Sequence, residues 1–173
     1  TTPQHAPPIY REEVACGRSR YRGIVPGTLE GATVLDTAAL RELIQAARPL
    51  LIDVLPKQRR PPGRNPDLPW MEERRLHLPG SVWLPNTGYG ELAPEFAQWF
   101  EQELARLTGN DLDHPIVFYC DANCWMSWNA AKRAVTELGY HRVYWYPEGV
   151  DGWQAAGLEL EAVGDVTMPD YVE

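Results

Sequence analysis

Short, continuous apolar runs recur along the chain and predict its strands. They are rich in β-branched and aromatic residues and lack a polar face, which is typical of strands buried on both sides of a sheet. The runs are Leu50–Val54, Val82–Leu84, Ile116–Tyr119 and Val143–Tyr146, with a shorter one at Val34–Leu35.

The segments between these runs have a different pattern, which predicts helices. Apolar residues recur there at intervals of three and four, with polar residues on the other face. The predicted helices are 37–47, capped by Asp36 or Thr37, then 94–107, about 128–138 and about 153–156. Strands that alternate with helices predict an α/β fold with a parallel sheet.

Four loops are expected to meet at one edge of this sheet. Ligands of parallel α/β sheets bind outside the carboxyl ends of the strands. The loops that follow those ends are 55–76, 85–93, 121–127 and 147–152. We therefore expect the functional site among them.

The segment after the third long strand contains two cysteines with three residues between them. Cys120 is predicted at the carboxyl end of the strand, and the loop leads to Cys124 and a helix N-terminus. Unpaired N–H groups and the helix dipole there favour negative charge, so Cys120 is a candidate thiolate nucleophile. The pair could also form a fixed structural disulfide or provide two soft metal ligands.

Composition limits the possible classes of protein. The chain has 173 residues, of which 44% are hydrophobic and 23% charged, which suits a single globular domain. A net charge of −8 argues against nucleic acid or an anionic membrane surface as the main partner. No apolar run approaches the roughly 20 residues of a transmembrane helix.

Residues 1–32 are predicted to form an irregular N-terminal extension, and residues 33–173 a single domain on which the extension packs. The extension is rich in Pro, Tyr and Arg and contains Cys16, the cysteine left over if Cys120 and Cys124 pair. The chain begins at Thr1 without Met, as a mature protein does after signal cleavage or as a trimmed product does. Either origin fits the sequence.

Segment 55–76 is an inserted basic, Pro-rich loop. From Lys57 to Arg75 it has six basic and three acidic residues, net +3 within an acidic protein. Loops of this length inside a compact domain are usually functional or mobile. A solvated surface loop is the equal alternative.

The order of several motifs resembles the rhodanese-like family. The motifs are Leu50-Leu51-Ile52-Asp53-Val54, His77-Leu78-Pro79-Gly80-Ser81, Phe118-Tyr119-Cys120, Ser127-x2-Ala130-Ala131, Gly139-Tyr140-x2-Val143 and Gly149-x3-Trp153. The resemblance implies a three-layer fold with a central, mostly parallel sheet flanked by helices. It also implies that Cys120 accepts a sulfane sulfur as a persulfide within the active-site loop Asp121, Ala122, Asn123, Trp125, Met126 and Ser127.

More narrowly, Cys120-x3-Cys124-Trp125 resembles a subgroup named for a Cys/Cys/Trp motif and associated with PQQ-dependent alcohol catabolism. This implies a periplasmic protein that acts beside a PQQ-dependent alcohol dehydrogenase or its cytochrome c. PQQ or another redox cofactor is a possible ligand, and a small thiol or sulfane-sulfur compound a possible substrate.

The cysteine loop departs from typical sulfurtransferases because it contains Asp121 and no basic residue. An unpaired acid there would raise the pKa of the thiol and repel thiosulfate. We therefore expect Arg59, Arg60 or Arg64 of the basic loop to supply an anion-binding charge.

Three functions remain open at this stage. The first is a thiol enzyme in which Cys120 attacks and Cys124 resolves. The second is a non-catalytic accessory module that binds through exposed Trp70 and Trp125. The third is a Cu(I) carrier that uses Cys120, Cys124 and Met126, although Met126 reads more readily as a packing residue and no dedicated metal site is predicted.

Overall fold

The computed structural model describes residues 22–23, 25–57, 63, 65–69, 71, 74–164 and 166–169. In chain order its elements are β1 (Ala32–Val34), α1 (Thr37–Ala47), β2 (Leu50–Asp53), β3 (Val82–Trp83), α2 (Pro94–Thr108), β4 (Ile116–Tyr119), α3 (Trp125–Thr136), β5 (Val143–Tyr146) and α4 (Gly149–Ala155). In these ranges no helix combines the length and apolar character needed to cross a membrane.

The strands form one parallel sheet in the order β1-β5-β4-β2-β3. Asp53, Tyr119 and Tyr146 are in register across β2, β4 and β5, so these strands end at the same level. The chain after each of them emerges at one edge of the sheet. This edge is where Cys120 and the loops around it lie.

Alternate residues of the central strands face two separate cores, as the strand period of two requires. Ile52, Ile116 and Phe118 pack with residues of α2 and α3 on one face. Leu51, Val117 and Tyr119 pack with residues of α1 and α4 on the other. The predicted α/β fold, a three-layer arrangement with a parallel sheet, is therefore confirmed.

Two predicted helix starts are wrong. α3 begins at Trp125 rather than Trp128, and α4 begins at Gly149 rather than near Trp153. In α3 the whole first turn is buried, so it has no polar face to give the helical pattern. By contrast, α1 begins where predicted, because the Asp36 side chain accepts a hydrogen bond from Ala39 N at 2.8 Å.

Candidate active site at the cysteine loop

Cys120 and Cys124 form a disulfide at the carboxyl edge of the sheet. Cys120 follows β4 directly, and Cys124 is the N-cap residue of α3, with their Cα atoms 6.2 Å apart. Both residues are almost completely buried. The fold thus brings the two predicted site cysteines within bonding range.

Backbone and side-chain contacts fix the turn between the cysteines. Asn123 has a left-handed backbone with φ of 57°, and Cys124 N donates to Asp121 O at 3.3 Å. Ser127 Oγ donates to Cys124 O at 3.2 Å and accepts from Trp145 Nε1 at 2.9 Å. Ser127 therefore supports the loop from the first turn of α3.

Two glycines let neighbouring loops approach the cysteine loop closely. A Cβ at Gly149 would overlap the carbonyl of Cys120, and one at Gly88 would overlap the carbonyl of Met126. Val150 N also donates to Cys120 O at 3.0 Å. The loops after β3 and β5 therefore meet the cysteine loop, as expected from the parallel sheet.

A buried ionic network links the end of β2 to the cysteine loop through Arg75. Arg75 Nε lies 2.7 Å from Asp53 Oδ2, and its Nη1 lies 2.9 Å from Asp121 Oδ1. Asp53 Oδ2 is also 2.7 Å from His77 Nδ1, and Asp53 Oδ1 accepts from Leu55 N at 3.0 Å. One guanidinium group thus holds both a buried strand-end carboxylate and the first side chain of the loop.

The network favours the charged forms of Asp53 and Arg75. Burial by itself would raise the pKa of Asp53, but the charge of Arg75 and hydrogen bonds from His77 and Arg75 hold that pKa below its usual value. Burial would lower the pKa of Arg75, yet Asp53 and then Asp121 raise it above the ordinary arginine value. Arg75 therefore stays protonated.

The expectation of an unpaired Asp121 is wrong. Arg75 compensates its charge from inside the 55–76 loop, while Arg59, Arg60, Arg64 and Trp70 lie outside the described residues. Sequence reasoning missed Arg75, although a carboxylate at the end of a buried strand requires a cation nearby.

Residues from outside the four loops also contact the cysteine loop. Arg22 forms an isolated antiparallel bridge with Cys124, and Gly23 N donates to Asn123 O at 3.0 Å. Arg22 Nη2 lies 3.1 Å from Asp121 Oδ2 and 3.5 Å from Asp151 Oδ2. Arg22 and Gly23 therefore pack against the cysteine loop beside Cys124.

The aromatic side chain in the Cys/Cys/Trp motif is not exposed. Trp125 is 1% exposed, and its ring lies 6.4 Å from that of Tyr89. The expectation that Trp125 presents a docking surface is wrong, because the first turn of α3 faces the core. Met126 is also fully buried, in agreement with a packing role.

The disulfide determines which chemistry the site can perform in this state. Neither sulfur is a thiolate while the bond is intact, so neither can ligate copper or attack a substrate. No cluster of three or more His, Cys, Asp or Glu suited to a metal occurs among the residues described. Once reduced, the site offers two neighbouring thiols, one of them at a helix N-terminus.

The chain belongs to the rhodanese-like domain family, whose model matches residues 36–156. It is 30% identical over 82 residues to the thiosulfate sulfurtransferase GlpE of Actinobacillus succinogenes. The matched segment covers 47% of this chain and 60% of that protein. It therefore spans less than two thirds of that relative.

Two solved structures were compared with this chain. A thiosulfate sulfurtransferase from Pseudomonas aeruginosa matches 82% of this chain and 22% of its own, with a TM-score of 0.51 and 15% identity. A polysulfide-sulfur transferase from Wolinella succinogenes matches 75% of this chain and 78% of its own, with a TM-score of 0.45 and 18% identity. The first of these supports a rhodanese fold.

Proposed function

We propose that the protein is a rhodanese-like thiol enzyme in which Cys120 accepts a sulfane sulfur and Cys124 resolves the product. The Cys120 thiolate attacks the outer sulfur of a donor R–S–SH, R–S⁻ leaves and takes a proton, and Cys120 becomes a persulfide. The Cys124 thiolate then attacks Cys120 Sγ, hydrosulfide leaves, and the disulfide forms. Two equivalents of an external thiol R′SH restore both cysteines: the first forms a mixed disulfide with one cysteine, and the second releases it as R′S–SR′.

The observation that carries this proposal is the Cys120–Cys124 bond, in the loop that the family resemblance implies as the active site. The two sulfurs are bonded in a structure in which β4 and α3 are both formed. A persulfide on Cys120 would therefore have an internal nucleophile at hand, and intramolecular attack of this kind is favoured over attack by a dilute acceptor.

The alternative is a non-catalytic accessory module that binds a quinoprotein dehydrogenase, its cytochrome c or a redox cofactor. Burial of Trp125 removes one of the two aromatic residues on which that interpretation relied. The enzyme reading is favoured because both sulfurs lie in one buried loop, at the edge of the sheet where ligands of parallel α/β folds bind.

The narrower assignment rests on the Cys-x3-Cys-Trp resemblance. On this basis we propose that the protein is periplasmic and acts in PQQ-dependent alcohol catabolism, beside a PQQ-dependent alcohol dehydrogenase or its cytochrome c. Fractionation of cells that express the full-length gene tests the location. A growth defect of the deletion strain on alcohols, but not on sugars, tests the pathway.

A single-turnover experiment tests the reaction. Reduced protein is mixed with an excess of a small-molecule persulfide, and sulfide and cysteine state are followed by a sulfide probe and mass spectrometry. We expect about one sulfide released per protein, with formation of the Cys120–Cys124 disulfide.

Three variants separate the roles of the cysteines. Cys124→Ser should trap a Cys120 persulfide and release no sulfide, Cys120→Ser should do neither, and Cys16→Ser should behave as wild type. Equal sulfide release by Cys124→Ser and wild type would contradict the resolving role of Cys124.

A further inference from the structure

The backbone N–H of Ala122 is already bound by a carboxylate of the protein. Ala122 N donates to Asp151 Oδ2 at 2.8 Å, and Asp151 belongs to the first turn of α4. Backbone N–H groups in loops that lead into a helix are the groups that bind incoming anions. Asp151 therefore holds a position that an anionic donor would need.

The charges around the loop also disfavour an anionic donor. Asp121 and Asp151 are bridged by Arg22, while Arg75 is shared between Asp121 and the buried Asp53. Within this cluster of described residues, three carboxylates meet two guanidinium groups, and the His77 imidazole contacts only the buried Asp53. Asp151 is also the most exposed of the three carboxylates, at 45% of its side chain, so it faces an approaching donor first.

We propose that Asp151 is a specificity-determining residue that excludes anionic sulfur donors from Cys120. The preferred donor is then a persulfide carried on an uncharged or cationic thiol, and thiosulfate is a poor donor. The identity of the donor rests on the proposed function of Cys120. The exclusion of anions depends only on the charges and contacts around the loop.

A purely structural role for Asp151 has a different signature. A carboxylate in the first turn of α4 favours the helix through its dipole, so its loss would lower stability. Such a loss would not change how Cys120 discriminates between two reagents of different charge. The decisive readout is therefore a ratio of rates rather than an activity.

Iodoacetate and iodoacetamide provide this ratio, because both alkylate a thiolate and they differ by one negative charge. Cys120 alkylation is followed by mass spectrometry in the Cys124→Ser protein, where no Cys120–Cys124 disulfide forms. Asp151→Asn keeps the shape and an acceptor for Ala122 N, and Asp151→Ala removes both charge and acceptor. Asp113→Asn is the matched control, since Asp113 pairs with His141 before β4, at the opposite edge of the sheet.

We expect Asp151→Asn to raise the iodoacetate-to-iodoacetamide ratio several-fold at low salt, because it removes one negative charge bound to the loop that follows Cys120. Asp151→Ala should raise it at least as much, and Asp113→Asn should leave it unchanged. High salt should shrink the difference between wild type and variant. An unchanged ratio in both Asp151 variants, or an equal rise in Asp113→Asn, overturns the proposal.

Sulfur uptake distinguishes the two proposals from each other. The rate of sulfur uptake by Cys120 is measured with cysteamine persulfide, which is cationic, and with thiosulfate. Asp151→Asn should raise the rate with thiosulfate several-fold relative to the rate with cysteamine persulfide. If Cys120 takes up sulfur from neither donor, the proposed function and the donor assignment are both wrong. A raised alkylation ratio in Asp151→Asn would still establish the exclusion of anions. If wild type prefers thiosulfate, the exclusion itself is wrong.

Discussion

Two histidine–carboxylate pairs of nearly equal length lie at opposite edges of the sheet. His77 Nδ1 and Asp53 Oδ2 are 2.7 Å apart at the carboxyl edge, with side chains 1% and 0% exposed. His141 Nδ1 and Asp113 Oδ1 are 2.8 Å apart at the amino edge, with side chains 64% and 75% exposed. The nitrogen–oxygen distances are nearly the same, but burial gives the pairs different consequences.

The buried pair belongs to a network, whereas the exposed pair lies mostly in solvent. Asp53 also binds Arg75, and Arg75 binds Asp121 of the cysteine loop. A buried carboxylate without such partners would be strongly destabilising, so each partner of Asp53 is needed. The network thus couples the stability of the fold to the position of the loop beside Cys120.

Removal of Arg75 should have the largest effect. Arg75→Gln leaves Asp53 and Asp121 without their shared cation, and we expect a loss of about 3–5 kcal/mol in the free energy of unfolding, measured by urea titration. Arg75→Lys should recover part of it, because the charge remains but the forked contact does not.

The control for this variant is Arg106→Gln, which breaks the more exposed pair with Glu103. It should cost less than about 1 kcal/mol. Equal losses in Arg75→Gln and Arg106→Gln would show that the buried network does not hold the fold.

Asparagine in place of each histidine compares the two pairs directly. His77→Asn should cost about 1–3 kcal/mol, because it disturbs a hydrogen bond to a buried carboxylate. His141→Asn should stay within about 0.5 kcal/mol, as for most surface substitutions. Thermal and urea unfolding of the two variants measure the difference, and similar values would remove burial as the deciding factor.

Acid should lower the free energy of unfolding by a smaller amount, because protonation neutralises Asp53 but leaves its partners in place. The folded-state pKa of Asp53 is below its ordinary value of 3.8, so the unfolded chain binds this proton more readily. The stability that Asp53 contributes is complete above pH 3.8 and is lost as the pH falls through the folded pKa. Urea unfolding from pH 6 down to about pH 2.5 measures this loss.

Asp53→Asn should flatten the acid limb of that stability profile, while Asp113→Asn should keep the wild-type slope. An unchanged acid slope in Asp53→Asn would mean that other carboxylates account for acid sensitivity.

The sequence predicted the sheet well because its three central strands, β2, β4 and β5, are buried almost throughout. Ile116–Tyr119 forms β4, and the predicted edge holds both cysteines. A continuous apolar run of this length has few alternatives in an α/β chain. Position at the end of such a strand, together with a second cysteine in the same loop, made Cys120 the candidate nucleophile.

Partners of the cysteine loop could not be predicted in the same way. Arg75 and Asp121 are 46 positions apart, and Arg22 and Asp121 are 99 apart, so no local pattern links them. The first turn of α3 was not predicted for a related reason. Trp125, Met126 and Ser127 are all buried, so they show no helical pattern, and the polar residues Asp121 and Asn123 before them favoured a longer loop. Tertiary packing decided both features.

A redox titration of the Cys120/Cys124 pair tests the central claim most directly. The protein is equilibrated in glutathione or dithiothreitol buffers of defined potential, the thiols are trapped, and each cysteine is assigned by mass spectrometry. A working centre should be reduced and reoxidised reversibly at a potential above roughly −300 mV. A disulfide that stays oxidised even at potentials below roughly −300 mV, or two thiols that never pair, would contradict the resolving role of Cys124.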